Sequence, residues 1–91
     1  MRNAEPTTVG EMLSEEFLKP LGMSAYELAD LMGITYNRIE DILKNTQKIN
    51  ETEGVMLAEI FNTDSSFWIN LQNAYVLWHK EHINSYTSKN H

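Results

Sequence analysis

Residues 24–44 read Ser24-Ala25-Tyr26-Glu27-Leu28-Ala29-Asp30-Leu31-Met32-Gly33-Ile34-Thr35-Tyr36-Asn37-Arg38-Ile39-Glu40-Asp41-Ile42-Leu43-Lys44. Ser24 followed three residues later by Glu27 is a capping box, so a helix starts there, with Leu28, Leu31 and Met32 as its apolar stripe. Gly33 ends it, because glycine best adopts the left-handed conformation past a helix end. Thr35 caps a second short helix whose buried side is Ile39, Ile42 and Leu43, and which ends near Asn45. Ala29 is small where the two helices cross, and a larger side chain would force them apart. Two short helices about a glycine-containing turn form the layout of a helix-turn-helix, whose second helix enters the major groove of DNA. The alternative is a plain helical hairpin.

The rest of the chain is also helical. Thr8 with Glu11 makes a capping box for a first helix from about Val9 to Leu18, carrying Met12, Leu13 and Phe17; Pro20 and Gly22 break it. Asn50 with Glu53 caps a fourth helix with the stripe Met56, Leu57, Ile60 and Phe61, slightly weakened by Gly54 in its first turn. Asp64 caps a last and longest helix, from about Ser65 to about residue 84, and the polar tail from Ser85 to His91 is expected to fray. No strand alternation, internal repeat or linker interrupts this pattern. At 91 residues, 42% hydrophobic and 22% charged, the chain reads as one all-α, five-helix domain spanning residues 1–91.

The residues left outward on the second helix of the pair are Thr35, Tyr36, Asn37, Arg38, Glu40, Asp41 and Lys44. Base edges are reached from the start of such a helix, so Thr35, Tyr36 and Asn37 are the natural readers, Asn37 being suited to a paired contact with adenine. Arg38 either binds guanine or a phosphate, or pairs with a nearby carboxylate. Asp41 repels phosphates unless it accepts from a cytosine amine or is neutralised by Arg38 or Lys44. The net charge of −6 opposes DNA binding overall, yet residues 34–50 carry Arg38, Lys44 and Lys48 against only Glu40 and Asp41. The acidic remainder is then available to a basic partner.

On the last helix, Phe67, Leu71, Ala74, Tyr75 and Trp78 form one stripe, assigned to the core. Ile69, Val76 and Ile83, edged by Trp68 and Tyr86, form another, read as a dimer or partner surface unless the first helix or the tail covers it.

Three blocks of sequence carry a family resemblance. They are Pro6-Thr7-Thr8-Val9-Gly10-Glu11 with Glu15-Glu16-Phe17-Leu18-Lys19-Pro20-Leu21-Gly22; Glu27-Leu28-Ala29 with Gly33-Ile34-Thr35; and Phe67-Trp68-Ile69-Asn70-Leu71-Gln72 with Tyr75 and Trp78. Over residues 6–81 the chain resembles the HigA/VapI-type antitoxins of the XRE, or Cro/C1-like, helix-turn-helix family, and the last block is the most specific. The resemblance implies an all-α homodimer that binds double-stranded operator DNA in its own promoter and neutralises a basic HigB/RelE-type toxin that cleaves mRNA. It implies that Thr35, Tyr36, Asn37 and Arg38 belong to the DNA-reading stretch and that Lys44, Gln47 and Lys48 lie near the DNA backbone. Val76 departs from the acidic residue usual in relatives, and the short tail leaves out any toxin contact made by a longer C-terminus. A stand-alone regulator without a toxin is the competing reading; an interaction module that has lost DNA binding is another.

Other chemistry finds little support. Without cysteine, disulfides, thiolate metal sites and cysteine nucleophiles are excluded. His79 and His82, with Glu81 beside them, are too few for a metal site; no phosphate loop or nucleophilic triad appears, and neither enzyme activity nor a cofactor is expected. No signal peptide or membrane-spanning run is present, and a cytoplasmic location is the expectation.

Overall fold

The computed structural model describes the backbone of residues 5–89 and the side chains of residues 5–81. Five helices and no strand lie among these residues. Helix α1 covers residues 9–21 in three consecutive segments, Val9–Met12, a π-helical Leu13–Leu18 and Lys19–Leu21. Helices α2 (Ala25–Met32), α3 (Tyr36–Leu43), α4 (Glu51–Phe61) and α5 (Phe67–Lys89) follow.

Helix α1 passes through Pro20 rather than stopping before it. Proline lacks the N–H for the usual ladder and its ring crowds the carbonyl four residues back. A π turn opens just ahead of it, with Lys19 N–H bonded to the Ser14 carbonyl, and the wider turn accommodates the ring without breaking the helix. The helix ends instead at Gly22, at φ 65°.

The caps expected from sequence are formed. Thr8, Ser24, Thr35 and Asn50 each accept from the backbone N–H three residues on, and Glu27 and Glu53 return the bond to complete capping boxes, whereas the box expected of Thr8 and Glu11 is formed only from the Thr8 side. The other ends follow one pattern: Gly33, Asn45 and Asn62 are left-handed, and Ile34, Thr46 and Thr63 donate to the carbonyls of Ala29, Asp41 and Ala58. The Asp64 carboxylate accepts from both the Ser66 N–H and its hydroxyl, holding the turn before α5 and lying below the usual carboxylate pKa because of those bonds. Helix α5 therefore begins at Phe67, and it continues to Lys89, beyond the residue 84 anticipated from the polar tail.

Leu13, Leu28, Ile39, Ile42, Leu57 and Trp68 are the largest fully buried side chains, so every helix contributes to one core. Trp68 was expected at the edge of an outer stripe. It is instead 0% exposed, packed in tilted and edge-on contacts among Phe17, Phe61 and Phe67 at ring separations of 5.1–6.3 Å, with its indole N–H donating to the Thr63 hydroxyl. Burial of the indole is possible because that donor finds an acceptor inside the fold. Leu31 is corrected in the opposite direction, from apolar stripe to exposed surface, and Ala74 of the expected core stripe is also exposed.

Two glycines set the approach of elements to one another. A Cβ on Gly10 would collide with the Leu43 carbonyl and come within 2.7 Å of the Ile42 carbonyl, so the start of α1 abuts the end of α3. Gly10 N–H donates to the Asn45 side chain there. A Cβ on Gly54 would stand 2.8 Å from Cγ1 of Ile69, so this residue lets α4 and α5 pack closely, beyond its small cost in helix propensity. Ile69 accordingly leans onto the domain rather than standing wholly outside it.

Candidate nucleic-acid interface

Helices α2 and α3 pack against each other through Leu28, Ala29, Met32, Ile39 and Ile42. The opposite side of α3 remains open, with Asn37 and Lys44 exposed, Thr35 exposed at the N-cap, and Tyr36, Arg38 and Asp41 half-buried. The Thr35 hydroxyl accepts from Arg38 N–H at 3.1 Å and still has its own hydrogen to donate. Asn37 follows in the first turn.

Tyr36 is held more firmly. Its ring stacks on Tyr26 of α2 at 4.0 Å with an interplanar angle of 9°, and its hydroxyl donates to Glu40 at 2.8 Å. The bond to Glu40 pushes the phenol pKa up to about 12, so it stays protonated at neutral pH. Lys44 lies 3.7 Å from the other Glu40 oxygen. Asp41 accepts from the Thr46 hydroxyl at 3.3 Å, a local partner the sequence reading did not weigh.

Arg38 adopts the pairing alternative. Its Nε and Nη2 donate to both carboxylate oxygens of Glu53, at 2.8 and 2.7 Å, and Nη2 also reaches the Lys48 carbonyl at 2.6 Å. Glu53, only 7% exposed at its side chain, is the same residue that completes the cap of α4 by accepting from Asn50 N–H. The hydrogen bonds from Arg38 lower the Glu53 pKa against the opposing effect of burial, and the same bonds raise that of Arg38.

The segment between α3 and α4 carries Gln47 and Lys48, both exposed. Its backbone is held by side chains from other elements: Arg38 on the Lys48 carbonyl, Glu53 on Asn50 N–H, and the Gln72 amide on both the N–H and the carbonyl of Ile49, at 2.8 and 2.9 Å. Glu53 and Gln72 were absent from the sequence-derived site. Glu53 read as a cap and nothing more; Gln72 stood only inside the Phe-Trp-x-Asn-Leu-Gln block, and that block was the signal that could have singled it out.

Beside this segment lies an open cleft of about 240 Å³ between Thr8 and Val9, the residues 45–48 and the Gln72, Tyr75 and Val76 face of α5. Val76 is half-buried here and the neighbouring Leu77 is exposed. Ile83, expected on the same partner surface, lies outside the residues whose side chains are described, as does His82. His79 bonds Glu5 at 2.7 Å. Desolvation, with a bond to Glu5, raises the pKa of the adjacent Tyr75. Among the described residues, no helix is long and apolar enough to cross a membrane, and no group of three or more His, Asp or Glu could hold a metal ion.

The helix-turn-helix family profile matches residues 15–68, from α1 through the first residues of α5. An uncharacterized HTH-type transcriptional regulator of Haemophilus influenzae is 40% identical over 82 residues, covering 90% of this chain and 77% of that protein. Antitoxin HigA-1 of Vibrio cholerae is 36% identical over 73 residues, covering 80% of this chain and 69% of its own length. Among solved structures, the Pseudomonas aeruginosa antitoxin HigA with the higBA promoter superposes with a TM-score of 0.84 at 28% identity, over 93% of this chain and 92% of that one. With the fold, the capped helix pair and the Phe67–Gln72 block agreeing, the chain belongs to the XRE-type helix-turn-helix family, in the branch that holds the HigA antitoxins.

Proposed function

We propose that this protein is a DNA-binding repressor of its own operon and an antitoxin that neutralises a basic, RelE-like mRNA-cleaving toxin. The observation that carries the reading is the open face of α3, where Thr35 and Asn37 stand exposed in the first turn of a helix buttressed from behind by α2. In this reading Asn37 pairs with a base edge, Thr35 donates to a base or phosphate, the Tyr36 ring contacts a thymine methyl or the sugar-phosphate, and Lys44, Gln47 and Lys48 meet the backbone. Asp41, turned to Thr46, is kept from the phosphates. The structure of the P. aeruginosa HigA with the higBA promoter supports the DNA half of the proposal.

With Arg38 engaged by Glu53, the cations left to this face are Lys44 and Lys48, against Glu40 and Asp41. One copy therefore has little electrostatic attraction for a phosphate backbone, and binding as a homodimer on two half-sites supplies the rest. The dimer forms through the outer side of α5, where Val76 and exposed Leu77 lie and where Ile83 continues the stripe in sequence. Residues 34–50 carry one more cation than anions, so the acidic excess lies in the rest of the chain and suits a basic toxin.

The test is a gel-shift titration on the protein's own upstream DNA and on a scrambled control at two salt concentrations. Specific retardation that weakens with salt is expected; no shift at either salt overturns the repressor reading. Co-purification of a short basic protein encoded beside this one is expected of an antitoxin. Specific DNA binding with no such partner would leave a stand-alone regulator.

A further inference from the structure

Within that DNA-binding reading, we infer that Arg38, although it sits on the recognition helix, is a positioning residue: through Glu53 and the Lys48 carbonyl it presets the loop whose Gln47 and Lys48 face the DNA backbone. A guanine reader needs its guanidinium fork directed outward for a bidentate contact. Here Nε and Nη2 are turned to the start of α4, spanning both oxygens of a buried carboxylate and a main-chain carbonyl. Glu53 is anchored in turn by its cap bond to Asn50 N–H. Three successive residues, Lys48, Ile49 and Asn50, thus have main-chain groups gripped by side chains from α3, α4 and α5, while the side chains of Gln47 and Lys48 stay exposed. A loop ordered before binding loses less conformational freedom when it meets the phosphates. Arg38, Gln72 and Glu53 thus secure its last three residues to α3, α5 and α4.

The role separates cleanly from base reading. Loss of a base contact relaxes preference at one base pair, whereas loss of backbone contacts weakens binding alike on all sequences and flattens the salt dependence. Glu53 gives the sharper contrast. By charge alone, removing an acid should strengthen DNA binding; if Glu53 presets the loop, its removal weakens it.

The experiment measures wild type, Arg38→Ala, Glu53→Ala and the double variant on the upstream operator and on a panel with each base pair changed in turn, at several salt concentrations. Thermal melts establish that each variant is folded at the assay temperature. Each single variant should lower affinity roughly tenfold across the whole panel, leave the order of base preferences unchanged, and reduce the slope of log affinity against log salt by about one. The double variant should be no worse than the more damaging single one, because both act through one contact. Should Arg38→Ala fail to fold, Arg38→Lys carries the test, since a lysine can pair with Glu53 but cannot span both partners. Relaxed preference at a single base pair in an Arg38 variant, or unchanged or tighter binding by Glu53→Ala, overturns the inference while the repressor reading stands. Failure of the wild type to bind the operator overturns both.

Discussion

The helix pair of residues 24–44 and the last helix α5 carry apolar residues at the same helical period, yet the pair follows its pattern closely while α5 departs from its own. In α2 and α3, Leu28, Ala29, Met32, Ile39 and Ile42 are buried and Leu43 is half-buried, with Leu31 the one stripe residue left exposed. In α5, the stripe expected inside includes exposed Ala74, and the residue expected at the outer edge, Trp68, is the most enclosed aromatic among the described residues. The difference lies in what surrounds each helix. A short helix fixed by a cap at one end and a left-handed residue at the other, against one neighbour, has a single way to bury its stripe. A long helix carrying apolar residues around much of its circumference has several, and its neighbours choose among them.

The largest expected effect tests the Trp68 side of this contrast. Trp68→Ala should cost about 3–5 kcal/mol, since it removes the ring joining Phe17, Phe61 and Phe67, and a urea midpoint close to wild type would refute the central role given to that ring. Gly10→Ala comes next, at about 1–3 kcal/mol by denaturation, because the carbonyls it would strike belong to backbone that cannot step aside. Gly33→Ala, at φ 69°, places a Cβ in left-handed backbone but in open space, so it should cost only about 1–2 kcal/mol. A cost above that of Gly10→Ala would mean that left-handed backbone strain outweighs the steric clash at Gly10.

Acid unfolding probes the link between the two regions. Glu53 titrates below its ordinary value near 4.5 in the folded protein, so its contribution is fully present above that value and is lost as pH falls through the folded pKa. Glu53→Gln should therefore show a shallower loss of melting temperature below pH 4.5 than the wild type. Parallel curves would show that the Arg38 pair adds nothing to stability. The smallest effect is reserved for Leu77→Ala, which at 55% exposure should change stability by less than about 0.5 kcal/mol. Leu77→Glu should nonetheless convert dimers to monomers in light scattering, and persistent dimers would move the self-association surface away from this side of α5.

The parts of the site that were readable in sequence are those governed by near neighbours. Thr35 three residues before the N–H it caps, Gly33 past a helix end, and Asn37 and Lys44 on the face opposite Ile39 and Ile42 all follow from local spacing. Contacts across longer separations were not readable. Arg38 and Glu53 are 15 residues apart and Ile49 and Gln72 are 23 apart, and no local pattern shows that they meet. Gly54 reads locally as a weak helix former, and its role in admitting Ile69 depends on the packing of α5 against α4.

Amino-acid order is enough to dictate five helices, most of their caps and the helix-turn-helix register, because hydrogen bonding within a turn and apolar periodicity operate over three or four residues. Tertiary structure alone decided that Trp68 belongs to the core, that helix α1 runs through Pro20 by way of a π turn, and that the guanidinium of Arg38 turns to Glu53 and Lys48. Those outcomes depend on which surfaces meet once the helices pack. An arginine on an open face has many acceptors within reach, and only the arrival of the capped start of α4 beside it, with a carboxylate already in place, selects one.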